Sequence, residues 1–459
     1  MPDPTKTQLD FKNNLSSLLS TLSQKSWDSF PKNVQEKVAL IFCDDLAAMI
    51  AASREVELKR LIKGLVKTSG KKNSTVYDGI GTRLDKYSAA IANGASGDWC
   101  ELDSGYRPAL CHASLYCLPA LLAEGESIGA TTKQILHALL LAYETTARLA
   151  RSFTYTDLKL HTHGSLAAVG AAAAVAFLRK YPANKIFLAM NSAATMVAPA
   201  PFNHAVEGAL VRNIWPGLAA SNGLRAADWV EMDIFATDNT IHQVYVDIFG
   251  AHSNPNTLLK DLGKNWAVMD GYHKLHACCQ YSHSAVEATL QVRKEMCNSY
   301  NNSQIEEIFL ETHWRGLLLS NSTPITTLAA KFSMEHVIAT VLVNGHADAA
   351  AFTKSMLSNS DIAMLRNKIH ISQYIPEPEW PNDRPALLKV KMQDETVIIK
   401  KCLSARGGPD RPFLLTDITA KIRSILAGNF EILLEPINKI ILLDDHILDS
   451  TWRDIVYSP

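Results

Sequence analysis

Apolar residues recur at helical spacing through most of the first 270 residues and predict an almost entirely helical region. In 32–70, for example, Val34, Val38, Ile41 and Leu46 fall on one helical face; Ser53 interrupts the pattern. The strict alternation typical of strands is almost absent here. The predicted helices are 8–24, 32–70, 86–95, 113–125, 131–153, 167–180, 184–199 and 218–230.

The segment 167–180 consists almost entirely of Ala, Val, Gly and Leu. A helix with so many small side chains has to pack closely against other helices, and soluble bundles bury such helices at their centre. We therefore expect 167–180 to be a central, buried helix.

The pattern changes near residue 270. Alternating residues predict strands at 305–312, 368–373 and 387–397, the last continuing into 398–401, with a helix at 330–343 between them. Helical spacing returns in 415–427 and 431–454. We predict a mainly α fold with an α+β part. A large helical domain comprises 1–270 and 408–459, and a smaller α+β lid domain, 271–407, is inserted before the C-terminal helices.

Composition excludes several functional classes. The 459 residues have a formal net charge of −1, which argues against a nucleic-acid or membrane partner. The N-terminal residues carry no apolar run typical of a signal peptide or membrane anchor. The eight cysteines show no CxxC spacing, so a reducing, cytoplasmic location without structural zinc is expected. Phosphate-binding glycine motifs, GxSxG and HExxH are absent. We therefore expect no cofactor and no metal.

Three polar stretches carry residues suited to catalysis. The first, 101–112, separates two predicted helices and combines Asp103, Tyr106, Arg107 and His112. Loops between rigid helices often hold functional residues, although a solvated connector with chance polar residues has the same appearance.

The second stretch contains His161 and His163, directly before the small-residue helix. A helix N-terminus has unpaired N–H groups and a positive dipole, which favour an anionic ligand. Two histidines alone do not make a metal site. The third stretch, 272–283, contains Lys274, Cys279 and His283.

Five sequence blocks occur in one order along the chain. The first block comprises 89–93, 101–103, 111–114 and 119–123, and the second comprises His161 and the small residues 170–174. The third comprises 211–212 and 217–224, the fourth 274–279 and His283, and the fifth 330–336. In this order they resemble the MmgE/PrpD family, which includes 2-methylcitrate dehydratase, cis-aconitate decarboxylase and iminodisuccinate epimerase.

The resemblance implies a homodimer in which a helical domain and an α+β lid enclose a cofactor-free active site. By position, the family's site residues correspond to Asp103, His112, His161, Lys274 and His283. The chain departs from the family pattern at five positions. Ser104 stands where the family often has a second acid, and Tyr106 where a histidine is sometimes seen. Arg212 and His336 replace the usual lysine and tyrosine, and Cys279 replaces a histidine of the decarboxylase pattern.

We interpret the chain as a cofactor-independent lyase, of dehydratase or decarboxylase type, that acts on a small di- or tricarboxylate. His112 and His161 would transfer protons, Asp103 would set a tautomer, and the cations Lys274 and Arg212 would hold carboxylates. Two alternatives remain: an epimerase of a dicarboxylate such as iminodisuccinate, and a polycarboxylate-binding protein without catalysis. The remaining predicted substrate-binding residues are Tyr106, Arg107, His163, Cys279, His283 and His336.

Overall fold

The computed structural model describes residues 4–296 and 301–457. Twelve α-helices in these ranges are longer than ten residues, and we number them in chain order. They are α1 (Pro4–Ser23), α2 (Lys32–Ala51), α3 (Val56–Thr68), α4 (Lys86–Trp99), α5 (Ala113–Ile128), α6 (Thr132–Ser152), α7 (Ala167–Leu178), α8 (Ala183–Ala194), α9 (Trp215–Glu231), α10 (His283–Met296), α11 (Met334–Asn344) and α12 (Leu415–Leu426). The prediction of a mainly α fold is confirmed.

Local sequence signals explain where these helices begin and end. The Asp85 side chain accepts hydrogen bonds from the first N–H groups of α4, and Thr131 and Gln134 form a capping box at α6. The single helix predicted over 32–70 is divided, because Ala52–Arg54 forms a 3₁₀ turn between α2 and α3. The C-terminal pattern at 431–454 likewise forms several short helices rather than one.

Helix α7 is the centre of the helical region. It packs against α5, α6, α8 and α9, and every one of its residues is buried. The expectation of a buried, small-residue helix is confirmed, with the helix ending at Leu178 rather than at residue 180.

Among the described residues, four strands longer than four residues form one sheet: β1 (Ile305–Thr312), β2 (Ile369–Gln373), β3 (Ala386–Met392) and β4 (Val397–Cys402). Their order is β4-β3-β1-β2; only β1 and β2 run parallel. The predicted strand over 387–397 is wrong at its end. Residues 393–396 form the turn of a hairpin, in which Glu395 has a φ of +67°.

Three apolar clusters fill the interior. The largest joins residues between Phe11 and Val268 to residues between Phe413 and Val456, so the C-terminal helices pack on the N-terminal ones. A separate cluster around the sheet lies mostly within 279–402. The division into domains at 270 and 408, and the homodimer, stay predictions. No helix in the described residues has the length and apolar character needed to cross a membrane.

The contact between α7 and α9 leaves no room for a side chain at Gly223. A Cβ atom there would lie 2.4 Å from the Ala171 Cβ and 2.6 Å from the Ala172 backbone nitrogen. We therefore expect Gly223→Ala to lower the free energy of unfolding by about 1–3 kcal/mol, because the helices have to separate. Urea denaturation followed by circular dichroism measures this change.

Gly64 provides the matched control. It lies in α3, is exposed, and a Cβ atom placed on it would have no neighbouring atom within 4 Å. Gly64→Ala should raise the free energy of unfolding by about 0.5–1 kcal/mol, since alanine loses less backbone entropy on folding. Equal effects of the two substitutions would contradict the close approach of α7 and α9.

Candidate active site

A short backbone pairing brings two of the polar stretches together. Gly105–Tyr106, in the loop between α4 and α5, pairs antiparallel with Gly271–Tyr272, at the start of the third polar stretch. Sequence patterns did not predict this two-residue ladder. It places the loop carboxylates beside Lys274.

An internal cavity of about 40 Å³ lies at this junction. Its walls come from the first and third polar stretches, from His161 and Arg212, and from the loop before β3. The lining residues are Glu101, Tyr106, Ala109, Leu110, Cys111, His112, His161, Phe202, Arg212, Tyr272, Lys274, Cys279, Gln280, Tyr281, Phe332 and Arg384. We call it the inner cavity.

A second cavity of about 460 Å³ adjoins it, and we call it the outer cavity. The two share Ala109, Leu110, Tyr281 and Arg384 in their walls. The inner cavity has room for roughly three water molecules.

Asp103 and His112 form a carboxylate–imidazole pair, of which His112 lines the inner cavity and Asp103 lies buried next to it. The Asp103 Oδ2 atom lies 2.5 Å from the His112 Nδ1 atom. Such a bond holds the proton on Nδ1 and leaves Nε2 as the basic nitrogen. Although His112 directly precedes α5, its side chain does not cap that helix. The ring is therefore available for chemistry.

Lys274 is completely buried between two carboxylates. Its Nζ atom lies 3.2 Å from the Asp103 Oδ1 atom and 3.4 Å from the Glu101 Oε2 atom. Burial alone would lower the lysine pKa, but these carboxylates raise it above its ordinary value. Burial alone would likewise raise the pKa of Asp103, but Lys274 and His112 hold it well below its usual range. Both groups are therefore charged at neutral pH.

Arg212 forms the second buried cation of the inner cavity. Its Nη1 group donates to both Asp98 oxygens at 2.7 Å and to the Glu101 Oε1 atom at 2.5 Å. Glu101 adopts a φ of +52°, which is uncommon for a residue with a side chain. The two cations bound to its carboxylate hold it in place.

Asp98, which is bound to Arg212, is completely buried. Burial raises its pKa to about 6, although Arg212 acts in the opposite direction. Its Oδ1 atom also accepts a hydrogen bond from the His163 Nε2 group at 2.8 Å. The Tyr116 hydroxyl lies 3.0 Å from the other nitrogen of His163, so both ring nitrogens are engaged.

His161 and His163 therefore have different positions. His161 lines the inner cavity, whereas His163 lies beneath it in the protein interior. The His161 Nε2 atom is 3.2 Å from the Arg212 guanidinium, and Nδ1 accepts from the His163 N–H group at 3.3 Å. Burial, with His163 and Arg212 nearby, holds the pKa of His161 well below its ordinary value. His161 is thus a neutral imidazole at neutral pH.

Two further predicted residues line the inner cavity. Burial raises the pKa of the Cys279 thiol to about 12, so it stays protonated at neutral pH. The Tyr106 hydroxyl lies 3.5 Å from an Arg151 nitrogen, and burial raises its pKa as well. Neither group is suited to act as a base.

Three predicted substrate-binding residues lie away from the inner cavity. Arg107 makes two hydrogen bonds to Asp383, at 2.7 and 3.2 Å, and borders the outer cavity. The His283 Nε2 atom is 3.1 Å from the Cys278 carbonyl oxygen. His336, in α11, lies 3.2 Å from Arg366. The structure therefore gives these three residues partners within the protein.

Sequence reasoning missed several charged residues of the site. Asp98 is in the last turn of α4, and Arg384 precedes β3 in a segment with no catalytic pattern. Glu101 lies in the first polar stretch, but no pattern gives it a role of its own. Only its position two residues before Asp103 could have indicated that it belongs to the site.

No group of three or more His, Cys, Asp or Glu side chains suited to a metal ion occurs in the described residues. The expected absence of a metal and of a cofactor stays a prediction. Seven cysteines are buried and free of disulfides, and Cys297 lies outside the described residues.

Asp45 holds the loop between α4 and α5 in place through Ser104. Its two carboxylate oxygens accept hydrogen bonds from the Ser104 backbone N–H, at 2.6 Å, and from the Ser104 hydroxyl, at 2.9 Å. Burial, together with repulsion from Asp103 and Asp44, raises the pKa of Asp45 to about 7. This carboxyl group therefore gains a proton more readily than an exposed one.

Comparison with protein-family models identifies two matches that together span most of the chain. Residues 16–245 match the MmgE/PrpD N-terminal domain. Residues 276–442 match the MmgE/PrpD C-terminal domain.

Curated relatives include two fungal proteins. The chain is 23% identical over 381 residues to a cis-aconitate decarboxylase of Aspergillus terreus, covering 76% of each chain. It is 24% identical over 339 residues to the cis-aconitate decarboxylase-like protein oryM of Aspergillus oryzae, covering 64% of this chain and 67% of that protein. Both alignments are long, and both identities are low.

The raised pKa of Asp45 predicts a pH-dependent change in stability. The folded-state pKa of this carboxyl exceeds its ordinary value of 3.8, so its contribution to the free energy of unfolding is greatest at low pH. That contribution is lost as the pH rises through about 7. Asp45→Asn keeps an acceptor for Ser104 but cannot ionise. Its free energy of unfolding relative to the wild type should therefore increase between about pH 4 and 7 and level off above about pH 8. Urea denaturation across this range tests the sign; a difference that decreases with pH would contradict the assignment.

Proposed function

The chain belongs to the MmgE/PrpD family, and on that premise we propose that it is a cofactor-independent lyase acting on a small di- or tricarboxylate. The observation that carries the proposal is the Asp103–His112 pair, whose imidazole lines a cavity together with the buried cation Lys274. The similarity to cis-aconitate decarboxylase supports the lyase class.

His112 supplies the proton transfer in this proposal. In a dehydration, Nε2 takes a proton from the carbon next to a substrate carboxylate, and the electrons of that C–H bond form the double bond. Hydroxide leaves from the adjacent carbon and receives the proton back from the His112 imidazolium. Asp103 stabilises the imidazolium in between, as an acid partner does in other carboxylate–imidazole pairs. In a decarboxylation, no substrate proton is removed; a His112 imidazolium that has taken its proton from solvent would protonate the carbanion left after CO₂ departs.

Lys274 supplies electrostatic stabilisation. Removing a proton next to a carboxylate moves negative charge onto its oxygens, and a buried ammonium stabilises this charge more strongly than one in water. Arg212 is already bound to Asp98 and Glu101. Its proposed role changes accordingly, from a direct carboxylate clamp to a support for Glu101 and His161.

The arrangement favours a lyase over an epimerase. Epimerisation requires removal and return of a proton at opposite faces of one carbon, hence two imidazoles of suitable pKa. His161 is the second imidazole in the inner cavity, but its depressed pKa makes it a poor proton carrier at neutral pH. A cavity in which His112 is the proposed proton-transfer group and His161 stays neutral fits elimination or decarboxylation better.

The first experiment identifies the reaction class. The purified protein is incubated in D₂O with 2-methylcitrate, cis-aconitate, citrate and iminodisuccinate, and the mixtures are followed by proton NMR. We expect a change in alkene signals, or release of CO₂, with at least one compound. Deuterium uptake without bond cleavage would instead identify an epimerase, and binding without either would favour a non-catalytic protein.

The second experiment tests the proton transfer. With the substrate found above, His112→Ala should lower kcat by about 10²–10⁴-fold while KM changes less. Asp103→Asn should also lower kcat, because an amide does not stabilise the imidazolium. His346→Ala, at a half-exposed histidine outside both cavities, is the matched control and should retain activity.

Melting temperatures and circular dichroism of all three variants separate lost catalysis from lost folding. Full activity of a folded His112→Ala variant would rule out the mechanism and leave only the family assignment.

A further inference from the structure

Arg384 borders both cavities and is the cation at the boundary between them. It directly precedes Pro385 and β3, and its side chain lines the inner and the outer cavity together with Tyr281. Its guanidinium lies 5.0 Å from the centre of the Tyr281 ring, and the residue is only 9% exposed. No sequence pattern points to it.

The charge of Arg384 lacks a counterion of its own. Within the described residues it makes no hydrogen bond, and its buried Nε atom is without a partner. The nearest carboxylate oxygen, on Asp383, is 3.9 Å away, and that carboxylate is already bound by Arg107 through two hydrogen bonds. Two guanidinium groups therefore share one carboxylate.

The other two cations of the inner cavity differ in this respect. Arg212 is neutralised by Asp98 and Glu101. Lys274 is bound to Glu101 and Asp103. A substrate that used either of them would have to compete with a carboxylate of the protein, whereas Arg384 is available.

Electrostatics supports the same distinction. Burial and the nearby Arg107 lower the pKa of Arg384 to about 10, so it remains protonated at neutral pH. A buried guanidinium without an anion is unfavourable for the free protein. An anion bound there would remove this cost, and the planar fork of arginine matches a carboxylate.

We propose that Arg384 binds a substrate carboxylate remote from the carbon that His112 deprotonates. This inference rests on the proposed function and specifies it further: the substrate carries at least two carboxylates, one near Lys274 and His112 and another at Arg384. A monocarboxylate lacks this contact and binds weakly.

The test uses tricarballylate, a saturated tricarboxylate, and isothermal titration calorimetry. Arg384→Gln should weaken its binding by about 10- to 100-fold, and Arg384→Lys should restore part of the affinity, since the charge remains but the fork does not. Arg315→Gln is the matched control. Arg315 stacks on Trp314 and lines only the outer cavity, so its removal should change the affinity by less than about two-fold.

Thermal melting distinguishes a binding role from a structural one. Because the charge of Arg384 is uncompensated in the free protein, Arg384→Gln should leave the melting temperature unchanged or raise it. A clear fall in melting temperature, together with no recovery of binding in Arg384→Lys, would overturn the proposal. Unchanged affinity in Arg384→Gln would also overturn it, as would a wild-type protein that binds no tricarballylate.

The same titrations are repeated with His112→Ala, which lacks the proposed proton-transfer group but keeps Arg384. Together with the activity of the wild type, they separate this inference from the proposed function. If the wild type converts none of the polycarboxylates but binding still depends on Arg384, the lyase proposal fails and the binding site stands. If the wild type is active and Arg384→Gln has unchanged KM and affinity, the lyase proposal stands and the role of Arg384 is refuted.

Discussion

The buried charge cluster of Asp98, Glu101, Asp103, Arg212 and Lys274 is the interaction on which the rest of the site depends. Three carboxylates from the end of α4 and its following loop surround two cations from distant parts of the chain. Breaking one partner of such a buried set leaves an uncompensated charge, at a cost of about 3–5 kcal/mol. The cluster therefore fixes the loop in one conformation. His112 owes its position to this loop, because Asp103 binds the imidazole and Lys274 on opposite oxygens.

The cations near the inner cavity divide into two kinds. Arg212 and Lys274 are neutralised within the protein, so they hold the site together and polarise it. In the described part of the chain, Arg384 has no carboxylate of its own: its Nε atom makes no hydrogen bond, and the Asp383 carboxylate, 3.9 Å away, is bound by Arg107. In our proposal, Arg384 therefore binds one carboxylate of the substrate, whereas Lys274 stabilises the carboxylate next to the reacting carbon. Removal of a neutralised cation leaves a carboxylate of the protein buried without a partner, which is destabilising.

The departures from the family pattern have physical meaning in this geometry. Arg212 stands where a lysine is usual, and its fork reaches Asp98, Glu101 and His161 together, which a single ammonium does not. Cys279, in place of a histidine, brings a protonated thiol to the cavity wall and removes one acid–base group. Ser104, in place of a second acid, donates twice to Asp45 and anchors the loop. His336 does not line the inner cavity; its imidazole lies 3.2 Å from Arg366 instead.

The sequence by itself determined the helical architecture, the buried α7, the strands of the sheet and the identity of Asp103, His112, His161 and Lys274 as candidates. Helical periodicity and small-residue runs report local burial, and ordered sequence blocks report a family, so these features need no knowledge of distant contacts. The tertiary structure alone decided that Arg107, His283 and His336 face other partners, that His163 lies beneath the cavity, and that Asp98, Glu101 and Arg384 belong to the site. Whether a charged side chain is neutralised depends on carboxylates more than 100 residues away in the chain, as with Arg212 and Asp98. Periodicity carries no information about such pairings, because they arise only when the folded chain brings the two groups together.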